Sequence, residues 1–368
     1  MKRLVLVGGG HAHVEVLRRL RVTPLPDCEL VLISPSRYTA YSGMVPGLIA
    51  GHYSHRDAHI DLERLSHAAG ARFVQDYAVC VDAASNTVTC AQGTEMIYDV
   101  LSLAVGSVAD TAPIRGAERC GLPVKPVDRL LAGVETLLEE ARRAALTIVV
   151  VGAGAGGIEL CFALDYRLRR EAGTQRARFA IVSASSAVLP GYSDAVRHRV
   201  LRTLKQREIA VHTDRRVTGA DERGIVLDGG ERIAADRVVW VTGPAPVPWL
   251  KGSGLALDAQ GFLLVNDRLQ SISHERVFAA GDVATMKNDP RPKSGVYAVR
   301  QGPPLARNLR RAVLGAPLRS FHPQRRALQL ITTGERYAIA AWGKLGCEGG
   351  WVWRWKDWID RRFIARYA

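Results

Sequence analysis

The sequence predicts an α/β fold in which two Rossmann-like dinucleotide-binding domains follow one another, with a short C-terminal region after them. A short apolar strand, at residues 4–7 and again at 147–151, runs straight into a glycine-rich turn and then into a helical pattern. The same order of strand, turn and helix therefore occurs twice in 368 residues. Two tandem copies of one βαβ-based domain are the economical interpretation.

The two turns correspond residue by residue, since Gly8 matches Gly152 and Gly10 matches Gly154. In such a turn the first glycine permits the sharp bend and the second lets the backbone approach a pyrophosphate. The third lets the helix pack closely against the strand. The residues of the turns that are predicted to contact a cofactor are Gly8, Gly10, His11, Ala12, Gly152, Gly154 and Gly157.

The first turn departs from this pattern at its third glycine, where His13 stands instead. Either the helix lies slightly away from the strand, or the imidazole fills the space between them. The rings of His11 and His13 could also donate to phosphate, and packing or helix-start roles are the alternative for each. The sequence leaves these interpretations open.

Neither copy has the acidic residue that commonly binds a ribose 2′-hydroxyl after the second strand. Ser34 ends the apolar run 30–33, and Ser183 ends the run 179–182. A serine hydroxyl can still bond to ribose, but more weakly than a carboxylate does. At the second site, Ser183 would not repel a 2′-phosphate, and no arginine follows it closely to attract one. The choice between NADH and NADPH therefore stays open.

Composition describes a globular protein and limits its partners. Apolar residues make up 47% of the chain, which is enough for two cores. The net charge of +14 is spread along the chain without a recognised nucleic-acid motif, so anionic cofactors or an anionic membrane surface are expected and nucleic acid is not.

Six cysteines without CxxC spacing, and no secretory signal, predict reduced thiols in a cytoplasm. No metal site and no transmembrane helix are predicted, because glycines interrupt the longest apolar stretch, 146–164.

Two further motifs point to one superfamily. They are Tyr-Asp-Val-Leu-Ser-Leu-Ala-Val-Gly-Ser at 98–107 and Val-Phe-Ala-Ala-Gly-Asp-Val-Ala at 277–284. With the glycine turns they resemble the pyridine nucleotide-disulfide oxidoreductase superfamily, especially its type II NADH:quinone and sulfide:quinone branch, over nearly the whole chain. The resemblance implies FAD in the first domain and NADH or NADPH in the second.

The resemblance also assigns cofactor contacts outside the turns. Asp282 is expected to accept hydrogen bonds from the ribitol chain of FAD, and Gly281 to allow its close approach. The full set that the resemblance implies is Ser34, Arg37, Val79, Ala104, Gly106, Ser183, Gly243, Gly281 and Asp282.

A closer likeness concerns three segments, at 8–13, 41–47 and 293–302. They look like the flavoprotein module that is found fused ahead of selenide, water dikinase. Here the module would stand alone, since nothing that resembles the kinase follows. This likeness bears on the fold more than on the reaction.

The resemblance implies a reaction in two halves, with hydride passing from NAD(P)H to flavin and two electrons then passing to an acceptor, expected to be a membrane quinone. Three residues receive candidate catalytic roles from it. Glu159 would manage protons or bind the nicotinamide amide, or would be a plain carboxylate near a helix start. Lys125 would reach the same interface or lie solvated between prolines. Gln301 would start the helix whose N-terminus faces the flavin pyrimidine.

One departure concerns the acceptor. Type II enzymes carry a quinone-site motif with two glutamines shortly before the position of Gln301, and here Val296 and Arg300 occupy those places. Either the acceptor pocket differs, or the acceptor is not a conventional ubiquinone or menaquinone.

Two alternatives to this reaction remain. Residues 37–51 contain no cysteine, which excludes a dithiol relay beside the flavin at that position. Cys161 and Cys347 lie in roughly the right halves for a sulfur- or selenium-linked flavoenzyme of the sulfide:quinone kind, although Cys161 is expected on the apolar face of its helix. A non-catalytic redox sensor is the other alternative, because of Ser34 and Ser183.

The domain organisation follows from the repeat and the motifs. An FAD domain at 1–116 and 244–320 is expected to surround an NAD(P)-binding domain at 117–243, with a C-terminal region at 321–368.

Read as a helix, the tail places on one face the aromatic and apolar residues Trp351, Trp355, Trp358, Ile359, Phe363 and Tyr367, with its charges mostly on the other face. Such a helix suits a membrane interface, and type II enzymes attach through this region. The alternative is packing under the FAD domain or across a homodimer seam. The expected location is the cytoplasm, at the inner face of the cell membrane.

Overall fold

The predicted α/β fold is confirmed by a computed structural model, which describes residues 1–171 and 177–367. Its first sheet is parallel and runs in the order β21-β9-β1-β2-β5. These strands are β1 (Lys2–Val7), β2 (Cys28–Ser34), β5 (Ala71–Gln75), β9 (Val100–Leu103) and β21 (Val277–Ala279). The central strands are buried on both faces, which explains why they are continuous apolar runs rather than alternating ones.

The second sheet repeats this architecture in the order β11-β18-β12-β13-β14, again parallel. Its strands are β11 (Leu122–Pro123), β12 (Thr147–Val151), β13 (Arg178–Val182), β14 (Ala210–His212) and β18 (Arg237–Trp240). We call the two sheets, with the helices that cover them, the first and the second module.

Each module also carries an antiparallel three-stranded meander in the same place, between its outermost strand and its closing strand. The meander strands are β6 (Ala78–Asp82), β7 (Thr87–Cys90), β8 (Glu95–Ile97), β15 (Val217–Asp221), β16 (Gly224–Leu227) and β17 (Arg232–Ala234). The internal repeat therefore extends well beyond the glycine turns. Six other short strands form three pairs: β3 (Tyr38–Ala40) with β4 (His59–Asp61), β10 (Val108–Ala109) with β19 (Pro244–Ala245), and β20 (Leu263–Val265) with β22 (Ala284–Met286).

Helices pack against the sheets and against one another. They are α1 (His11–Val22), α2 (Val45–Ile49), α3 (His55–Ala58), α4 (Leu62–Ala68), α5 (Val127–Ala141), α6 (Ala155–Glu171), α7 (Asp194–Gln206), α8 (Gly295–Val313) and α9 (Gly350–Ile364). Helices α1 and α8 approach each other closely, because a Cβ placed at Gly302 would lie only 2.7 Å from the Cβ of Glu15. This contact brings the start of α8 toward the first glycine turn.

The C-terminal region forms a sheet of its own, β23 (Gln329–Thr332), β24 (Ala338–Trp342) and β25 (Leu345–Gly349), followed by α9. Helix α9 packs against β23, β24 and β25, and also against α3. Within the described ranges, every helix is too short or too polar to cross a membrane.

Candidate active site

The first glycine turn lies at the carboxyl edge of the first sheet and touches its closing strand. A Cβ at Gly8 or at Gly10 would lie less than 3.0 Å from the carbonyl oxygen of Ala104, and Gly8 has a φ of +94°. Helix α1 begins directly after Gly10, with no side chain capping its N–H groups and no acidic residue in its first turn. These free donors and the bare backbone fit a pyrophosphate.

The second turn has the same geometry at the edge of the second sheet. Gly152 has a φ of +125° and packs on the backbone of Val241, while a Cβ at Gly154 would meet nothing within 4 Å. The buried hydroxyl of Thr242, beside this turn, has no hydrogen-bond partner. An orphaned polar group next to an open glycine backbone fits a polar ligand such as a nucleotide phosphate.

His13 fills the space that a third glycine leaves elsewhere. In the second module, Gly157 packs its backbone against the carbonyl of Gly152. In the first, the Nδ1–H of His13 donates to the equivalent carbonyl, that of Gly8, at 2.6 Å, and its Nε2 accepts from the Ser102 hydroxyl at 2.8 Å. The ring is fully buried, and burial lowers its pKa to about 4, so it is neutral. His13 therefore has a packing role, and its ring nitrogens are not available to donate to a phosphate.

His11 starts α1 and faces the segment after β3. The backbone N–H of Ser42 donates to its Nε2 at 3.3 Å, and its ring lies 5.5 Å from that of Tyr41. Burial lowers its pKa to about 4, and the charges of Asp282 and Lys125 act on it in opposite directions. A neutral imidazole with its Nδ1–H free is the form that this position supports.

The predicted place of Gln301 at a helix start is wrong. Helix α8 begins at Gly295, so Gln301 lies in its second turn. Its Oε1 accepts the backbone N–H of Gly281 at 2.6 Å. Gln301 therefore holds the turn that carries Asp282, and the free N–H groups at the start of α8 belong to the residues around Gly295.

Lys125 reaches from the second module to the first. Its Nζ lies 2.7 Å from Oδ2 of Asp282 and donates to the Ser107 hydroxyl, also at 2.7 Å. The lysine is thus ion-paired at the junction of the modules rather than solvated between prolines. Asp282 presents a carboxylate at the edge of the first sheet, beside the glycine turn, where it can accept hydrogen bonds from a polyol.

The other predicted FAD contacts spread along the same edge. The hydroxyl of Ser34 would lie 3.1 Å from a Cβ at Gly9, and Gly106 continues the closing strand with a φ of +75°. Val79 is exposed at the start of the first meander. Arg37 is the outlying member, because its guanidinium pairs with Asp61 and Glu63 at the rim.

Glu159 joins the second module to the C-terminal region. Its Oε1 accepts from the backbone N–H of Thr332 at 2.9 Å and from the Thr332 hydroxyl at 3.0 Å. Burial raises the pKa of Glu159, and the charge of Lys356 opposes that rise. A half-buried carboxylate whose pKa is raised by burial therefore faces a lysine of α9.

Lys356 and Asp360 were missed by sequence reasoning, which places the charges of the tail on its outer face. Their side chains are only 9% and 5% exposed, and Nζ lies 2.6 Å from Oδ2. The ammonium also donates to the carbonyl of Gly43, and the Tyr41 hydroxyl hydrogen-bonds Asp360. The four-residue spacing of a lysine and an aspartate within an aromatic helix was the available signal.

The predicted aromatic face of the tail is also wrong in part. Phe363 is buried and stacks on Tyr41 at 4.1 Å, and the Tyr367 hydroxyl donates to Glu15 at 3.1 Å. Trp351, Trp355 and Trp358 face outward instead. The helix thus packs on the first module through one face and exposes tryptophans on another, and its contact with a membrane stays a prediction.

A family model described as pyridine nucleotide-disulphide oxidoreductase matches residues 2–302. The chain belongs to this family. The NADH dehydrogenase-like protein YutJ of Bacillus subtilis is 24% identical over 331 residues, covering 88% of this chain and 87% of that protein. A type II NADH:quinone oxidoreductase of Staphylococcus aureus is 22% identical, covering 87% of this chain and 85% of that protein. The solved sulfide:quinone oxidoreductase of Aquifex aeolicus superposes with a TM-score of 0.83 at 19% identity, over 100% of this chain and 91% of that one.

Family membership gives the enzyme class and the cofactors. The chain is a flavin-dependent oxidoreductase that uses FAD with NADH or NADPH, as predicted. The two glycine turns and the Asp282 carboxylate fit these groups in shape and in donor chemistry. The likeness to the module fused with selenide, water dikinase stays a prediction.

The cysteines do not support a thiol mechanism in this member of the family. Cys161 is fully buried in the core of the second module, and burial raises the pKa of its thiol. Cys347 is exposed on β25. Because the thiolate is the reactive form and needs access, Cys161 is unsuited to attack sulfide or a persulfide.

Proposed function

We propose that the protein is an NAD(P)H:quinone oxidoreductase that works at the membrane surface. The observation that carries the proposal is the junction where Glu159 and Lys356 face each other, between the second module and α9. Reduction of a quinone consumes two protons with two electrons, so an acceptor site needs groups that hold protons away from bulk water. The Bacillus subtilis and Staphylococcus aureus relatives are described as an NADH dehydrogenase-like protein and a type II NADH:quinone oxidoreductase.

In this proposal each part of the chain has one task. Bound FAD supplies hydride acceptance and onward electron transfer. The second turn, at Gly152 to Gly157, binds the nucleotide, and Asp282 orients the ribitol chain. The free N–H groups at the start of α8 stabilise negative charge on the flavin ring. Lys356 donates a hydrogen bond to a quinone oxygen, and Glu159 delivers a proton.

The departure at Val296 and Arg300 is consistent with a differently built acceptor pocket. Both lie in the first two turns of α8, where the guanidinium-bearing Arg300 is exposed. We infer that polar contacts to the quinone come from Lys356 on α9 rather than from these two positions.

Steady-state oxidation of NADH and of NADPH, with a short-chain ubiquinone or with menadione as acceptor, tests the proposal. We expect quinone-dependent turnover that survives the double substitution C161S/C347S, since neither thiol takes part. Turnover with sulfide but not with NAD(P)H, lost in that double variant, would instead establish the sulfur-linked alternative.

The outer face of α9 supports peripheral attachment to a membrane. Trp351, Trp355 and Trp358 are 51%, 39% and 56% exposed and recur at helical spacing along one side. The guanidinium of Arg362 lies over the Trp358 ring at 5.2 Å. The adjoining β24–β25 hairpin exposes a further tryptophan and a leucine. Indole rings at headgroup depth beside arginines suit an anionic bilayer surface.

Replacing Trp351, Trp355 and Trp358 together by serine should abolish co-sedimentation with anionic vesicles and leave flavin bound, because these rings make no part of the core. A matched control replaces three exposed apolar residues elsewhere, Val22 and Ile97 of the first module and Ile272, by serine. The control should sediment like the unmodified protein. Equal sedimentation of both triple variants would refute attachment through α9.

A further inference from the structure

The end of the second strand in the second module has a neighbour that lies far away in sequence. The backbone N–H of Arg215 donates to the carbonyl of Ser183 at 2.9 Å, and that of Asp214 donates to the carbonyl of Ser185 at 3.0 Å. The turn after β14 therefore lies directly against the serines that follow β13. In a dinucleotide-binding module this corner is where the adenosine ribose hydroxyls are bound.

The internal repeat supplies a built-in comparison. In the first module, the N–H of Asp76 donates to the carbonyl of Ser34 at 3.1 Å, so Asp76 and Arg215 are structural counterparts. Asp76 is buried, and its carboxylate accepts from the backbone N–H groups of Tyr77 and of Gln92, which lies in the turn between β7 and β8. Arg215 is exposed and presents a guanidinium. At this position the first module therefore has a carboxylate, and the second module has a guanidinium.

The hydroxyl groups of Ser34 and Ser183 also differ in their hydrogen bonds, and the difference again favours an anionic ligand in the second module. Ser34 donates its hydroxyl proton to the carbonyl of Ser36 at 3.0 Å. The Ser183 oxygen instead accepts from the backbone N–H of Ser185 at 3.2 Å, so its proton is free for a ligand. Residues 183–190 contain no carboxylate. The second corner thus offers hydroxyl donors where many NADH sites place an acid.

We propose that this corner is a 2′-phosphate site, formed by Ser183, Ser185 and Arg215, and that the enzyme prefers NADPH to NADH. The inference rests on the proposed function only in taking the second module as the nucleotide site. Arg216 adds a second positive charge on the same turn, and Asp214 a negative one.

The ion pair between Arg215 and Glu231 does not prevent phosphate binding. Its guanidinium lies 2.9 Å from Glu231, but the two side chains are 49% and 57% exposed. Exposed ion pairs are weak, whereas a guanidinium binds a phosphate through two parallel hydrogen bonds. A bound 2′-phosphate therefore replaces Glu231 as the partner of Arg215.

Calorimetric titration of the flavin-loaded protein with 2′,5′-ADP and with 5′-AMP tests the proposal without turnover. We expect 2′,5′-ADP to bind at least about tenfold more tightly, the scale of one charge-assisted contact. Arg215→Ala should reduce that ratio toward one, and Ser183→Asp should reverse it. Arg232→Ala is the matched control, because Arg232 lies on β17 in a similar exposed pair with Asp221, and it should leave the ratio unchanged.

Equal binding of the two ligands, tighter binding of 5′-AMP, or binding of neither would overturn the 2′-phosphate site. An unchanged ratio in Arg215→Ala would also overturn the assignment to Arg215. A different result would contradict the proposed function. If 2′,5′-ADP binds tightly but NADPH does not reduce the flavin, the site stands and the oxidoreductase reaction with this donor does not.

Discussion

Gly10→Ala should purify without flavin and unfold at a lower temperature than the unmodified protein. The added Cβ would lie less than 3.0 Å from the carbonyl oxygen of Ala104, and a backbone atom cannot move aside as a flexible side chain can. Forcing a methyl group into such a contact costs about 1–3 kcal/mol of folding free energy. It also displaces the N-terminus of α1, where the pyrophosphate is expected. Absorbance spectra and thermal unfolding measure both effects.

Gly154→Ala is the matched control, since it occupies the same place in the second turn. A Cβ there would meet nothing within 4 Å of protein. This variant should keep its flavin and its unfolding temperature, and should bind the nicotinamide nucleotide more weakly because the methyl group stands where a phosphate approaches. Flavin loss in both variants, or in neither, would contradict the assignment of the two turns to different cofactors.

Lys356→Met should destabilise the protein by about 3–5 kcal/mol, because it leaves the Asp360 carboxylate buried without its cation. Burial already raises the pKa of Asp360, and the charge and hydrogen bond of Lys356 oppose that rise. The variant also loses the hydrogen bond to the Gly43 carbonyl, which ties α9 to the first module. Chemical denaturation measures the loss directly.

The double variant Lys356→Met/Asp360→Leu separates stability from function. Replacing both members of a buried pair by apolar side chains removes the unpaired charge, so most of the lost stability should return. Quinone turnover should stay low, because Lys356 is the proposed donor to the quinone oxygen, while reduction of the flavin by NAD(P)H should be unchanged. Full recovery of quinone turnover with stability would show that Lys356 is only structural.

The parts of the fold that local rules dictate could be read from the sequence. Apolar runs that end in glycine predicted both parallel sheets, since a strand buried on two faces has no other composition. The glycines of the turns could also be predicted, because few other residues tolerate a φ such as +94° or a backbone contact under 3.0 Å. Family membership then followed from motifs of this kind.

The residues that depend on long-range contacts could not be read in this way. His13 departs from the glycine pattern, and only its bonds to Gly8 and Ser102 show that the ring replaces the missing close approach. Lys356 looks like a solvated charge until α9 is placed against Gly43. Arg215 lies on the strand-end turn next to Ser183, a neighbourhood that parallel pairing of β13 with β14 creates. In each case tertiary packing, not local propensity, decides the role.

Anaerobic stopped-flow mixing tests the proposed reaction most directly. The flavin-loaded protein is mixed first with NADPH or NADH, and the reduced protein is then mixed with a soluble quinone, with absorbance followed at roughly 450 nm. We expect rapid bleaching, faster at low concentrations of NADPH than of NADH, and rapid return of the absorbance with quinone. Absence of bleaching with either nucleotide, or bleached protein that quinone does not reoxidise, would contradict an NAD(P)H:quinone oxidoreductase.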